Sequence, residues 1–219
     1  MKINYHSLYP VSLLIALGAA VCPCPALGQG EVINDHIGLF ADGYIQCTDA
    51  QFLDHVTVNV YMFCPSYPFI NALELGLEVE GLVNTIIAAS FPVPAFGDCL
   101  PRPTDPGSFD ILAGYSSPLD AADAVHLASL DVFYLDTQPL YIRMTAHVPS
   151  SVGGDRPAYL AEPGFIVIPL TPLRSSPEDW DFAINDPFCN DVVLPQQAFT
   201  CGPLPATTSS WGAVKSLYR

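Results

Sequence analysis

Leu73, Leu75, Leu77 and Val79 alternate with Glu74, Gly76, Glu78 and Glu80. A period of two sends one row of side chains into a core and the other into water, which is the geometry of an extended strand. Val56, Val58, Val60 and Met62 repeat the pattern against Thr57, Asn59 and Tyr61. One wet and one dry face is the mark of an antiparallel sheet, because parallel sheets are usually covered on both faces and read as unbroken apolar runs. Further strands are predicted over 37–41, 85–91, 108–113, 128–135, 140–147, 164–168 and 180–184, about nine in all.

The intervening stretches 92–108, 116–124 and 149–157 are crowded with Pro, Gly, Ser and Asp and read as loops. Proline occurs 22 times in 219 residues, and only 13% of residues are charged, which argues against long helices and coiled coils. Strands linked by such loops, with no internal repeat, predict an all-β, antiparallel β-sandwich. The net charge of −15 repels phosphate backbones and anionic lipid head groups, so no nucleic acid is expected as a partner.

Lys2 followed by the apolar run 11–22 and the small residues Ala26 and Gly28 has the form of a secretory signal peptide cleaved after Gly28. The run is too short for a permanent span, and no later stretch reaches the roughly 18 apolar residues that a membrane helix needs. The chain is therefore divided into a signal peptide at 1–28, a sandwich domain at 29–203 and a linker with a short C-terminal helical tail at 204–219. In that tail Trp211, Val214, Leu217 and Tyr218 share a helical face behind a Thr208, Ser209 or Ser210 cap. The expected location is secreted or in the cell envelope.

Export makes disulfides the first reading of Cys47, Cys64, Cys99, Cys189 and Cys201, the cysteines left after cleavage. Cys189 and Cys201 flank a short segment that can fold back on itself and are the expected pair. The pairing of Cys47, Cys64 and Cys99 stays open.

Catalytic and metal-binding patterns are scarce in the chain. Gly114-Tyr115-Ser116-Ser117-Pro118 lacks the second glycine of a nucleophile elbow, so Ser116 reads as a turn residue. His36, His55, His126 and His147 have no metal-binding spacing. Asp179, Asp181, Asn185, Asp186, Asn190 and Asp191 could offer oxygens to calcium, but Phe182, Ala183 and Ile184 occupy the places of loop ligands and glycine. Trp180, Tyr159 and Tyr67 could form a sugar-stacking platform, although aromatic residues of a sandwich more often build its core.

HIGLFADGYIQC, HVTVNVYMF, NALELGLEVEG, LASLDVFYLDTQPLYIRM and the ending TTSSWGAVKSLYR together resemble a group of exported β-sandwich proteins of environmental bacteria that share a W-G-x-x-K-x-L-Y-R tail. That group has no assigned activity, so the resemblance implies no catalytic residue. The sandwich is also similar to cohesin-type and immunoglobulin-like modules. Two functions are weighed. One is an exported non-catalytic module that binds a protein or polysaccharide partner, with no cofactor. The alternative is an extracellular hydrolase acting through paired carboxylates, with Asp110, Asp131 and Asp136 as candidates.

Overall fold

The computed structural model describes residues 31–81, 86–103, 105–174, 180–187 and 199–201. The signal peptide and the tail helix expected from the sequence lie outside these residues. In chain order the strands are β1 (Glu31–Ile33), β2 (His36–Phe40), β3 (Cys47–Thr48), β4 (His55–Phe63), β5 (Phe69–Glu80), β6 (Ile86–Ser90), β7 (Ala95–Arg102) and β8 (Asp105–Asp120). They continue with β9 (Ala124–Phe133), β10 (Leu140–Thr145), β11 (Ala158–Glu162), β12 (Ile166–Pro169), β13 (Thr171–Pro172), β14 (Phe182–Ile184) and β15 (Phe199–Cys201). The fold is all-β.

Two sheets form the sandwich. The smaller has the order β13-β2-β4-β9-β6. In the larger, eight-stranded sheet the long strand β5 is central. One of its edges pairs with β8, which pairs with β7. Its other edge is shared, with Phe69–Glu74 meeting β11 and then β12, and Gly76–Glu80 meeting β10, then β14 and β3. Most ladders are antiparallel. The parallel pairs are short: β13 on β2, β14 on β3, and β1 on β15 in a separate two-stranded ribbon.

The alternation read from the sequence fills the core. Val58, Val60 and Met62 from the smaller sheet meet Leu73, Leu75 and Leu77 from the larger, all fully buried. Each such side chain contributes about 1.5–3 kcal/mol relative to exposure. Tyr159, on β11, fastens the two sheets. Its hydroxyl donates to Asp35 Oδ1 at 2.7 Å, and Asp35 also accepts the Ser66 amide at 2.8 Å and the Ser66 hydroxyl.

Four expectations are corrected. Residues 92–108 and 116–124 are largely strand, because Pro101 sits on the edge strand β7, whose outer side needs no amide donor. The short β11 joins 158–162 to the predicted 164–168 strand as a hairpin. The outward face of β5 is wet only in part: Glu74 is 7% exposed, with its Oε1 accepting the Ser151 amide at 2.7 Å. The segment after β10 folds over that face at Glu74 and Gly76.

The fourth concerns Cys201, which is bonded to Cys64 and not to Cys189, with Cα atoms 5.0 Å apart. Pairing of β15 with β1 carries Cys201 level with Ile33, two residues before Asp35, whose amide donates to the Cys64 carbonyl. Sheet pairing, and not nearness in sequence, brings the two thiols together. Cys189 lies outside the described residues. Cys47 is also in a disulfide, and Cys99 is a buried free thiol.

Candidate functional site: an apolar row on the outer face of the larger sheet

Phe96 on β7, Gly114 on β8, Ala72 on β5, Leu160 on β11 and Val167 on β12 are successive cross-strand partners. They therefore make one row across five strands, on the side opposite the core. β8 shows why. Phe109, Ile111, Ala113 and Tyr115 point inward and are buried, which turns Asp110, Leu112 and Gly114 outward.

The row has relief. Phe96 is 84% exposed at one end. Gly114 and Ala72 carry almost no side chain in the middle, and Leu160 and Val167 rise again beyond them. The adjacent row runs Asp98, Leu112, Glu74, Ala158 and Pro169. Leu112 is 51% exposed and stands beside the trough. A depression of about 190 Å³ is lined by Ala72, Glu74, Leu112, Ser151, Leu160 and Val167. Singly exposed apolar residues are ordinary on a protein surface, but a contiguous row with acids at its border is the composition of an interface.

An ion pair holds the covered end of this face. Arg102 reaches Asp110 through Nε at 2.9 Å and Nη2 at 2.8 Å, both side chains being largely buried, and Nη2 donates to the Ala146 carbonyl at 2.7 Å. Asp110 also accepts the Val148 amide at 3.2 Å. These bonds pin the segment after β10 against β5 and set the wall of the depression.

The acids proposed for a carboxylate hydrolase do not come together. Asp110, paired with Arg102, is on the outer face of the larger sheet, whereas Asp131 is on the outer face of the smaller one and pairs with His55 at 2.9 Å. Asp136 accepts the Thr137 amide at 2.6 Å in the turn after β9. The core lies between the first two.

The acidic stretch 179–191 is structural where it is described. Asp181 is fully buried and accepts the Met144 amide at 2.6 Å and Arg174 Nε at 2.8 Å. Asn185, at φ 58°, exchanges hydrogen bonds with the Ala50 amide and carbonyl and donates to Tyr134. Asp186 is buried, while Asp179, Asn190 and Asp191 lie outside the described residues. Trp180 and Tyr159 are buried as well, so they form no platform with Tyr67. Ser116 lies within β8 and not in a turn.

Sequence reading missed Phe96 and Leu100 because they fall in the proline-rich stretch read as a loop. The available signal was Leu112, an apolar residue at a position where alternation calls for a polar one.

No family model matches the chain, and no curated protein matches it. Among solved structures it is similar to a type II cohesin domain from the cellulosome of Acetivibrio cellulolyticus, with 9% identity and a TM-score of 0.49 over 74% of this chain and 98% of that one. The second type II cohesin module of an adaptor scaffoldin from the same organism gives 9% identity and a TM-score of 0.48 over 69% and 90%. The sixth cohesin of its scaffoldin B, solved in complex with a dockerin, gives 10% and 0.44 over 68% and 96%. At such identities no binding residue passes from those proteins to this chain.

Proposed function

We propose that this chain is an exported, non-catalytic β-sandwich module that docks a protein partner on the outer face of its larger sheet. The observation that carries this reading is the register-aligned row Phe96, Gly114, Ala72, Leu160 and Val167, with Leu112 beside it, on a chain of net charge −15. Exposed aromatic and aliphatic residues around a trough of small ones suit apolar side chains from a partner. Exposed Asp98 in the neighbouring row and the overall charge favour a partner that rings those side chains with Lys or Arg.

Export rests on the N-terminal pattern, and the disulfide of Cys64 with Cys201 fits an oxidising compartment. The 204–219 tail is read from its sequence as a segment separable from the 29–203 sandwich, with two roles open to it: sorting or anchoring, or packing of Trp211, Leu217 and Tyr218 back on the sandwich.

The test is capture from the producing cell's envelope and medium by the immobilised full chain, run beside a Phe96→Asp/Leu112→Asp variant of unchanged melting temperature. Loss of a defined captured protein with the variant, by about tenfold or more, supports the reading. An identical captured set would refute it. Turnover of ester, glycoside or peptide substrates by the purified protein would refute the non-catalytic part.

A further inference from the structure

The opposite face of the sandwich carries different chemistry. β2 follows β4 only as far as the Phe40–Asn59 pair, then turns away through a bend closed by the Ala41 amide on the Ile45 carbonyl at 2.8 Å. From Asn59 back to His55 the β2-side edge of β4 has no strand neighbour among the described residues, and residues 41–50 form a facing wall. The cleft between them holds about 440 Å³ and is lined by Asp42, Thr48, Asp49, Asp54, His55 and Thr57, among others. That is within the usual size of small-ligand sites.

We propose that this cleft, together with the outward residues Thr57, Asn59 and Tyr61 of β4, binds a neutral oligosaccharide.

The lining selects the ligand class. Asp54 accepts the Gln51 amide at 2.7 Å through Oδ2, whereas the carboxylates of Asp42 and Asp49 are exposed and accept no hydrogen bond from the described residues. Free carboxylates and threonine hydroxyls match the paired hydroxyl groups of a sugar. Among the described residues no lysine or arginine lines the cleft, so phosphate, sulfate and uronate groups find no counter-charge from them and meet the repulsive field of an acidic chain. A metal ion fits less well, since no three His, Cys, Asp or Glu side chains converge on a metal-sized site among the described residues.

The cleft continues along β4 as a polar and then aromatic track. Thr57, Asn59 and Tyr61 stand opposite Asp131, Ser129 and His126 of β9. Ser129 donates to Asn59 Oδ1 at 2.8 Å and meets His126 Nε2 at 3.0 Å, which orients the Asn59 amide and leaves its Nδ2 donor for a ligand. At the far end the half-buried ring of Tyr61 lies 5.3 Å from that of Tyr44 and 5.2 Å from that of His126. Such a group offers an apolar surface to the C–H face of a sugar ring. From His55 to Tyr61 the strand rises about 20 Å, room for a short run of sugar residues. This site lies on the sheet opposite the protein-docking row, so either can fail without the other.

The test is calorimetric titration of the full chain with cellohexaose, xylohexaose, mannohexaose and laminarihexaose, beside polygalacturonate, calcium chloride and decalysine. The expected result is binding of at least one neutral hexaose. Affinity should weaken by about tenfold or more in Tyr61→Ala and in Asp42→Asn/Asp49→Asn, and stay unchanged in Phe96→Asp/Leu112→Asp. All these variants alter exposed or half-exposed side chains, and their melting temperatures report folding. Binding of no neutral hexaose overturns the proposal, as does equal binding by the β4 and cleft variants or a response to calcium, decalysine or polygalacturonate alone.

Discussion

The guanidinium of Arg102 crosses the bare Cα of Gly76 so closely that a Cβ at residue 76 would stand 2.3 Å from its Nη2. The Ala146 carbonyl would be 2.1 Å away. Glycine is therefore required on β5 for an arginine from the edge strand β7 to reach over β8, hold Asp110 and tie down the segment after β10. One missing side chain permits the ion pair, the pair fixes the covering segment, and that segment walls the apolar depression.

Gly76→Ala should lower stability by at least about 2 kcal/mol, because the opposing carbonyl belongs to backbone and cannot swing aside. Gly114→Ala is the control. Its Cβ would find only the Phe96 carbonyl, at 3.8 Å, so stability should be unchanged or rise by about 0.5–1 kcal/mol. Urea midpoints at constant slope measure both. Equal effects at the two positions would remove the Arg102 explanation.

Legibility in the sequence followed the same physical line. β4 and β5 could be read because a strand with one face on the core must alternate, and both do so over four apolar residues. β7 could not, since an edge strand tolerates Pro101 and its outward Phe96 and Leu100 face no core. β3 and β13, two residues each, carry no pattern at all. The disulfide was misread because loop length says nothing about which strand lies beside which. Asp181 and Asp186 read as oxygens that could serve calcium, yet both are buried, Asp181 where β14 meets β10. A buried carboxylate and a solvated one look alike until the backbone amide it satisfies is known.

Asp181 should tolerate little. Its Oδ2 satisfies the Met144 amide, and its Oδ1 holds Arg174, whose side chain is one-third exposed. Asp181→Ala leaves a buried amide without an acceptor and is expected to cost about 3–5 kcal/mol. Asp181→Asn keeps an acceptor for the amide and should cost less. The order Ala worse than Asn, measured by chemical denaturation, distinguishes loss of the hydrogen bond from simple loss of volume.

Reduction should be costly too. The bridge of Cys64 with Cys201 closes a loop of sequence separation 137. In the chain-entropy account this contributes about 5 kcal/mol, or roughly 10–20 °C in Tm for a chain of this size. Cys201→Ser should show a loss of that order or somewhat less. Non-reducing peptide mapping should recover the Cys64 and Cys201 peptides together, and recovery of Cys201 with Cys189 would contradict the strand pairing of β1 with β15.

Cys99 should be silent as a thiol and visible as an alkaline weakness. It points from β7 into the core, where burial, then the charges of Asp98 and Asp110, push its thiol up to about 12 from a reference of 9.0. Iodoacetamide at pH 8 should leave the Cys99 peptide unmodified in the native protein and alkylate it in denaturant. With the folded value above the unfolded one, the contribution to stability is fully present below pH 9 and is lost as pH rises through the window up to about 12, because the unfolded chain deprotonates first. Tyr115 and Tyr159, also raised by burial, add to the same decline, so the wild-type curve alone does not isolate the cysteine. The difference between wild type and Cys99→Ala does. Wild type should lose stability faster than the variant above pH 9, and parallel curves would show that Cys99 ionises as readily in the folded chain as in the unfolded one.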